Sequence, residues 1–279
     1  MIQSENNASM PIERINDINL FWKLTGDKGE NLILVHGSWG DHHNWDGVVG
    51  ELSKSFRVLT YDRRGFSQSE KPSIKSSFLN DVWDLIKLIE HLHISAAHIV
   101  GNLFGATIVL KTAVQRPDLF KSMIVNDPPI FSLLNQDHET QTALLAHDVR
   151  LKSVIAYFKK NDFEGAAKQY VDTIGIGTDA WDKLSEKLRQ SYIKNAQTWY
   201  NQITDPESIE IDLEQLSKFK KPTILSNGDL SPIIFHKVND QLAKTITHSK
   251  RVIYKDAAHV PHITHPQKYI EVIKNFCIG

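Results

Sequence analysis

The sequence contains a single cysteine, Cys277, in 279 residues. This scarcity excludes an internal disulfide framework and metal sites built from thiolates, and it is typical of proteins kept in a reducing cytosol. The chain also lacks an excess of charge, because 32 Lys and Arg residues are balanced by 33 Asp and Glu residues. Such a balance gives no electrostatic basis for binding nucleic acid or an acidic membrane surface. We therefore expect neither as a partner.

Long apolar runs are missing as well. No run approaches the roughly 18 consecutive apolar residues of a membrane-spanning helix. The first ten residues are polar and acidic, whereas a secretory signal peptide begins with basic residues followed by an apolar stretch. These absences predict a soluble, cytoplasmic globular protein, and its length suffices to bury a substantial core.

Short apolar runs alternate with helical patterns along most of the chain. Alternating apolar residues on both sides of Asn16-Asp17 predict an antiparallel hairpin near the start. The later runs are continuously apolar, as in strands that are buried on both faces of a sheet. Strands alternating with helices predict an α/β protein with a mostly parallel sheet and right-handed crossovers. The predicted buried strands are NLILVHG, FRVLTYD, AAHIVG, SMIVND, PTILSNG and KRVIYKD.

One long region, residues 131–206, breaks this alternation because it contains helical patterns only. An α/β sheet binds ligands outside the carboxyl ends of its strands. An all-helical insertion between two strands is therefore most simply a cap over that edge, and a peripheral helical decoration is the alternative. We predict a core domain formed by residues 1–130 and 207–279, with residues 131–206 as the helical cap.

Residues able to carry chemistry follow directly after the predicted strands. The most informative segment is GNLFG, residues 101–105, which lies between a predicted strand and a predicted helix. In the pattern Gly-x-Ser-x-Gly, the central serine is a nucleophile on a sharp strand-to-helix turn. The central residue here is Leu103, which has no nucleophilic atom. Small neighbours such as Gly105 and Ala106 suit close strand–helix packing, and they favour a true turn of this kind over a chance match.

With these residues after its predicted strands, the chain resembles the α/β-hydrolase superfamily over essentially its full length. In particular, the chain resembles bacterial members that have a helical cap and a Tyr-Asp-Arg-Arg-Gly segment, here residues 61–65. The resemblance implies an α/β-hydrolase fold, with a mostly parallel eight-stranded sheet, flanking helices and an inserted helical cap. It also implies a nucleophile, an acid and a histidine in that chain order. The nucleophile position matches Leu103, where this chain departs from the pattern, and the catalytic histidine matches His259.

The resemblance further implies an oxyanion pocket made by backbone N–H groups. These groups would come from the region of Ser38 and Trp39 and from Phe104, the residue after the nucleophile position. The glycines of HGSWG leave neighbouring amides uncovered, although an ordinary turn after a strand would look the same. Trp39 is expected to form a wall of the cleft and Ser38 to line it. We do not expect Ser38 to replace the missing nucleophile, because it does not lie on the strand-to-helix turn.

The histidine has an independent physical argument. His259 follows a predicted strand, lies in a loop of small residues and precedes a proline that can start a helix. An imidazole, with its unperturbed pKa near 6.5, suits general-base chemistry at neutral pH. The alternative is a buried histidine with a structural role only.

The acid is less well specified by the sequence. Asp229 follows the seventh predicted strand, where most of the superfamily places its carboxylate, and we favour it. It comes one residue after Gly228, however, whereas the common spacing is about three residues, where Ser231 stands. Asp127, after the preceding strand, occupies the alternative acid position seen in some branches of the superfamily.

Two groups of histidines invite comparison with metal sites, and residues 61–65 invite comparison with a phosphate site. We expect no metal, because no carboxylate or cysteine spacing completes either group. We expect no cofactor. The two arginines of residues 61–65 are interpreted as part of a structural network, because no glycine-rich phosphate loop accompanies them. The histidine groups are His36, His42 and His43, and His259, His262 and His265.

The predicted function is hydrolysis of a small, apolar ester or related acyl substrate. Because Leu103 replaces the serine, ordinary serine acyl transfer is not expected. Two alternatives stay open. One is a serine-free enzyme that uses His259 as general base, of the lyase, cyclase or C–H deprotonation type. The other is a non-catalytic protein that binds a small ligand. In each case the expected partner is a small molecule.

Overall fold

The computed structural model of the chain describes residues 11–72, 77–135, 138–205 and 210–279, and within them the strands form one eight-stranded sheet. The strands are β1 (Ile12–Ile15), β2 (Ile18–Thr25), β3 (Glu30–Val35), β4 (Phe56–Tyr61), β5 (Ala97–Asn102), β6 (Phe120–Asn126), β7 (Thr223–Gly228) and β8 (Lys250–Tyr254). Their order across the sheet is β1-β2-β4-β3-β5-β6-β7-β8.

The sheet is mostly parallel, as predicted. The hairpin β1–β2 is antiparallel and joins β4 in an antiparallel pairing, whereas the strands from β4 to β8 pair in parallel. The central strands are aligned at their carboxyl ends, because Val35 pairs with Gly101 and Asn102 pairs with Asn126. The loops that follow β3, β5 and β6 therefore leave the sheet at the same edge.

Helices cover both faces of the sheet. Two large hydrophobic clusters result, each between the sheet and helices. In the part of the chain that the structure describes, no helix is long and apolar enough to cross a membrane. The α-helices are α1 (Asp46–Leu52), α2 (Phe78–His91), α3 (Phe104–Gln115), α4 (Gln141–Phe158), α5 (Phe163–Tyr170), α6 (Glu186–Ile203), α7 (Leu213–Ser217), α8 (Ile233–Thr245), α9 (Pro261–Thr264) and α10 (Pro266–Cys277).

Capping residues and prolines set several helix ends. Ser77 and Asn80 form a capping box at the start of α2. The Ser77 side chain accepts a hydrogen bond from the backbone N–H of Asn80, and the Asn80 side chain accepts one from the backbone N–H of Ser77. The segment ATIVLKTAVQRPDLF has a helical pattern throughout, but α3 stops short of its last residue, Phe120. The helix ends at Gln115, because Pro117 lacks the N–H and cannot continue it, and Phe120 already belongs to β6.

The region between β6 and β7 is helical, as the sequence predicts. It contains α4, α5 and α6, and α5 continues into one π-helical turn, Val171–Gly175. These helices enclose a separate hydrophobic cluster, into which Trp39 from the loop after β3 inserts. The boundaries of the predicted cap, residues 131–206, stay a prediction, and residue 206 lies outside the described residues.

Two backbones meet closely at the junction of β5 and α3. A Cβ atom on Gly105 would lie 2.3 Å from the carbonyl oxygen of Val35 and 2.6 Å from that of His36. A Cβ atom on Gly101 would lie 2.6 Å from the carbonyl oxygen of Gly105. These contacts are with backbone atoms, which cannot rotate away. The start of α3 therefore packs against the end of β3 at a distance that only glycine permits.

We predict that Gly105→Ala lowers the free energy of unfolding by about 3 kcal/mol or more, because the added methyl group forces the backbone apart. Gly50→Ala is the matched control, since a Cβ atom at this exposed helical position meets nothing within 4 Å. We expect the control to leave stability unchanged or to raise it by up to about 1 kcal/mol. Urea unfolding of both variants measures the difference. Equal effects of the two substitutions would contradict the close packing described here.

Candidate active site

Leu103 forms the turn between β5 and α3. Its backbone has φ of 49° and ψ of −119°, a conformation that a branched residue adopts at a cost of about 1–3 kcal/mol. The turn is held by a hydrogen bond from the Leu103 N–H to the carbonyl oxygen of Asn126, at 2.8 Å. The side chain is 7% exposed and lies in the wall of a cavity. The sharp turn predicted from GNLFG is therefore present, with an apolar side chain at its centre.

His259 and Asp127 form a buried pair at the same edge of the sheet. The imidazole Nδ1 of His259 lies 2.7 Å from Oδ2 of Asp127, and both side chains are at most 1% exposed. A carboxylate only accepts hydrogen bonds, so Nδ1 carries the proton and donates it. In the neutral imidazole the other ring nitrogen, Nε2, bears a lone pair, and it has no hydrogen-bond partner in the described part of the chain. This is the geometry of a general base and the carboxylate that orients it.

The carboxylate of Asp127 is itself held by neutral donors. Ser231 Oγ donates a hydrogen bond to Oδ2 at 2.5 Å, and the side-chain amide of Asn227 donates to Oδ1. Phe235 packs its ring edge against the imidazole of His259, with ring centroids 4.3 Å apart. These contacts fix both members of the pair and compensate the carboxylate for its burial.

The structure does not place Asp229, the favoured acid, at His259. The side chain of Asp229 is exposed and accepts a hydrogen bond from the N–H of Ala257 at 3.2 Å. It makes no hydrogen bond to His259 among the residues that the structure describes. The physical reason is spacing: β7 ends at Gly228, and the next residue turns toward the loop after β8. Ser231, three residues after Gly228, reaches the site instead and donates to Asp127, the alternative acid.

Two of the residues expected to supply the oxyanion pocket, Ser38 and Phe104, line the cavity. Ser38 lines the cavity, and its Oγ accepts a hydrogen bond from Gln202 Nε2 at 2.7 Å. Phe104 is the first residue of α3, where backbone N–H groups have no partner within the helix. Among the described residues, the N–H groups of Ser38, Trp39 and Phe104 make no hydrogen bond to protein atoms.

The expectation that Trp39 forms a wall of the cleft is wrong. The indole is fully buried, and its ring lies 5.0 Å from that of Tyr170 and 4.5 Å from that of Trp199. Tyr170 and Trp199 line the cavity, so Trp39 lies behind this wall. An apolar ring next to an insertion rich in aromatic residues is buried more completely by packing among them than by facing a ligand.

A cavity of about 380 Å³ lies between the sheet edge and the inserted helices. Most of its lining is apolar, and His259 and Leu103 lie in the wall contributed by the sheet edge. The size and lining suit a small, largely apolar ligand with a few polar groups. The lining residues are Ser38, Phe78, Leu103, Phe104, Pro129, Phe131, Ser132, His147, Leu151, Tyr170, Ile174, Trp199, Gln202, Ile203, Asp205, Phe235 and His259.

Among the polar residues of the insertion that line this cavity, Gln202 and His147 were not predicted from the sequence. Gln202 links the insertion to the core, because its Oε1 accepts from Arg63 Nη2 at 2.7 Å while its Nε2 donates to Ser38. His147 lies on α4. No sequence motif marks either residue. The only available signal was the prediction that the insertion covers the sheet edge, and it does not specify which helix faces point inward.

The two arginines that follow β4 belong to a buried ionic network, as predicted. Arg63 Nε donates to Asp81 at 3.0 Å, and Arg64 Nη2 donates to Asp84 at 2.6 Å. Burial raises the pKa of Asp84 to about 6, and the adjacent Arg64 guanidinium opposes this shift. Because their donors are engaged in this way, these arginines hold the loop after β4 against α2.

One cluster of side chains in the described ranges has the spacing of a metal site. Ligand atoms of Asp41, His42 and His43 lie within 4.8 Å of one another. They are already used within the protein, because Asp41 accepts from Ser67 and Ser191 and His42 Nδ1 bonds to Asp62 at 2.7 Å. Hydrogen bonds to protein groups therefore account for this cluster.

Comparison with known families decides which group of proteins the chain belongs to. The sequence profile described as "alpha/beta hydrolase fold" matches residues 30–266, which is most of the chain. The chain belongs to the α/β-hydrolase family. Its eight-stranded, mostly parallel sheet with flanking helices is the fold of that family.

Individual relatives of this α/β-hydrolase are distant but extend over nearly its whole length. The pimeloyl-[acyl-carrier protein] methyl ester esterase of Wigglesworthia glossinidia brevipalpis is 23% identical over 266 residues, covering 92% of this chain and 96% of the relative. A proline iminopeptidase of Clostridium botulinum is 24% identical over 279 residues, covering 91% of each. The crystal structure of the enol-lactonase from Burkholderia xenovorans LB400 superposes with a TM-score of 0.78 at 18% identity, covering 96% of this chain and all of the lactonase.

The pairing of His259 with Asp127 predicts a spectroscopic difference between two matched variants. A strong hydrogen bond from an imidazole N–H to a carboxylate shifts the proton far downfield in a ¹H NMR spectrum. We expect Asp127→Asn to abolish or move this resonance. Asp229→Asn should leave it in place, because Asp229 bonds to Ala257. The opposite result, with the resonance sensitive to Asp229 only, would show that the pairing described here is wrong.

Proposed function

We propose that this α/β-hydrolase hydrolyses a small, mostly apolar ester or related acyl substrate by general-base activation of water, without a serine acyl-enzyme. The observation that carries the proposal is the buried Asp127–His259 pair: the imidazole belongs to the lining of the apolar cavity beside Leu103, and its Nε2 has no hydrogen-bond partner among the described residues. Esterases and lactonases among the relatives support an ester as the substrate.

In the proposed reaction, Nε2 of His259 removes a proton from a water molecule as the water oxygen bonds to the ester carbonyl carbon. The negative charge moves to the carbonyl oxygen of the tetrahedral intermediate. When this intermediate collapses, the bond to the leaving oxygen breaks, and the imidazolium returns its proton to that oxygen. Asp127 holds the imidazole in the required tautomer and stabilises its protonated form.

The developing oxyanion requires hydrogen-bond donors that are not already engaged. We propose that the N–H of Phe104 and an N–H from Ser38 or Trp39 supply them. Their lack of acceptors among the described residues supports this role, as does the position of Ser38 and Phe104 in the cavity lining. Such donors in an apolar cavity stabilise charge more strongly than water-exposed donors do.

Leu103 defines what this site cannot do. A leucine at the proposed nucleophile position removes the oxygen that would form an acyl-enzyme, and its side chain adds apolar surface to the cavity. The inserted helices supply the opposite wall, which supports their assignment as a cap formed by residues 131–206 over a core of residues 1–130 and 207–279. Together these features favour compact substrates with apolar acyl or alkyl groups.

A second candidate is proton abstraction from an acidic C–H or O–H group of the substrate. The absence of a hydroxyl at position 103 favours it, because a water molecule beside Nε2 has fewer polar partners than it would have beside a serine. The same oxyanion donors would then stabilise an enolate or alkoxide. This reaction uses His259 as the base and forms no bond to water.

We predict three kinetic consequences of the water mechanism with short-chain p-nitrophenyl esters. The unaltered chain should hydrolyse them without a burst of nitrophenol and without labelling by a fluorophosphonate probe, because position 103 carries no nucleophilic oxygen. His259→Ala should lower kcat/KM by at least about 100-fold, which is the usual contribution of a general base. Leu103→Ser should gain both labelling and a burst. The matched control Leu103→Ala opens the same space without a nucleophile and should gain neither.

Several outcomes would contradict the proposal. Ester turnover that survives His259→Ala would remove the general base from the mechanism. Turnover that appears only in Leu103→Ser would show that the site is built for serine chemistry and that the unaltered chain is not a hydrolase. If the unaltered chain instead exchanges deuterium into ketones with acidic C–H groups, with no ester hydrolysis, the proton-abstraction candidate is correct. Ligand-induced stabilisation without any turnover would identify a binding protein.

A further inference from the structure

A second histidine, His147, lines the same cavity and comes from the inserted helices. It projects from α4, and its ring packs edge-on against Phe131, with centroids 5.1 Å apart. It also lies 6.2 Å from the ring of Phe235, which in turn contacts His259. His259 and His147 therefore line the same cavity, and the ring of Phe235 lies between them.

No hydrogen bond to the described residues gives the imidazole of His147 a structural role. Its Nδ1 is buried without a partner in the described part of the chain. Leaving a buried polar atom unpaired costs about 1–3 kcal/mol. An apolar side chain at this position, packed against Phe131, would avoid that cost. A ligand in the cavity, which the imidazole of His147 lines, can supply the missing hydrogen-bond partner.

The surroundings keep this imidazole neutral at physiological pH. Burial lowers the pKa of His147 to about 4, and the positive charge of Arg150 acts in the same direction, as does His259 whenever it is protonated. Asp148 opposes the shift but does not overcome it. A neutral imidazole offers one N–H donor and one acceptor nitrogen, so it suits a ligand group that is polar but uncharged.

The charge of the cavity lining also favours a ligand group that is polar but uncharged. No Lys or Arg occurs among the described residues that line the cavity, and its one carboxylate belongs to Asp205. An anionic group in this cavity would face a carboxylate and apolar rings with no cation to pair with. A keto or hydroxyl oxygen, in contrast, needs only a single hydrogen bond.

We propose that His147 is a specificity-determining residue that hydrogen-bonds a second, uncharged oxygen of the substrate, a keto or hydroxyl group separated from the reacting carbonyl. The inference rests on the proposed function only in taking the reacting carbonyl to lie at His259. The preferred substrates are then esters or ketones with an oxygenated chain, and simple alkyl analogues bind less well.

Binding of substrate-like ketones tests this role without requiring turnover. The probes are alkanones and their matched diones and hydroxyketones, with two to five carbons between the oxygens. Isothermal titration calorimetry gives each Kd, and Trp199 in the cavity wall provides a fluorescence readout. We expect the unaltered chain to bind the oxygenated probe of the right length at least about fivefold more tightly than its matched alkanone, as one hydrogen bond allows.

Two variants separate a polar role from packing. In His147→Leu we expect the preference to fall within twofold, while affinity for the plain alkanone is kept or increased. In His147→Gln, which retains a donor and an acceptor, part of the preference should persist. Circular dichroism and thermal unfolding establish that both variants are folded.

Three results would overturn the inference. The first is that the unaltered chain shows no preference at any chain length, which includes undetectable binding of all probes. The second is a preference that is undiminished in His147→Leu. The third is tighter binding of a matched keto acid than of the dione. Failure of the proposed function looks different. A preference that depends on His147, together with no ester hydrolysis, would uphold the binding role and reject the hydrolytic mechanism.

Discussion

The close approach of two backbones, at the end of β3 and at the start of α3, is the contact on which the site depends. Neither Gly105 nor Gly101 has room for a methyl group. Because of this packing, the chain must turn sharply between β5 and α3. Leu103 therefore takes a positive φ, and its side chain lines the cavity. The same contact holds the loop containing Ser38 beside Phe104. A leucine tolerates the resulting strain because the packing around it determines the backbone conformation.

A second constraint is the buried carboxylate of Asp127. A charge without exposure to water is stable only when hydrogen bonds replace its hydration, and here donors come from His259, Asn227 and Ser231. The side chain of Asp127 thereby connects the loops that follow β6, β7 and β8. The imidazole gains a fixed orientation from this arrangement, and the neutral donors leave the pair able to take up a proton at Nε2.

The sequence was informative where chemistry follows from local pattern. Continuously apolar runs identified the parallel strands, and GNLFG identified the sharp turn. His259 could be predicted because it follows a strand and precedes a proline. The choice between Asp229 and Asp127 could not be made this way, since it depends on which of two neighbouring strand ends is turned toward the histidine. Ser231 was a usable signal, because a hydroxyl at the common acid position indicates that the carboxylate comes from elsewhere.

His147 and Gln202 lie beyond such reasoning, because the rotation of α4 and α6 about their axes is set by packing among aromatic rings. Trp39 shows how far that packing extends. Its indole is anchored among the inserted helices, whereas the adjacent Ser38 lines the cavity. A displacement of α6 that widens the cavity must either break the stack around Trp39 or pull the loop after β3 with it. Ligand entry and the shape of the proposed oxyanion pocket are in this way mechanically coupled.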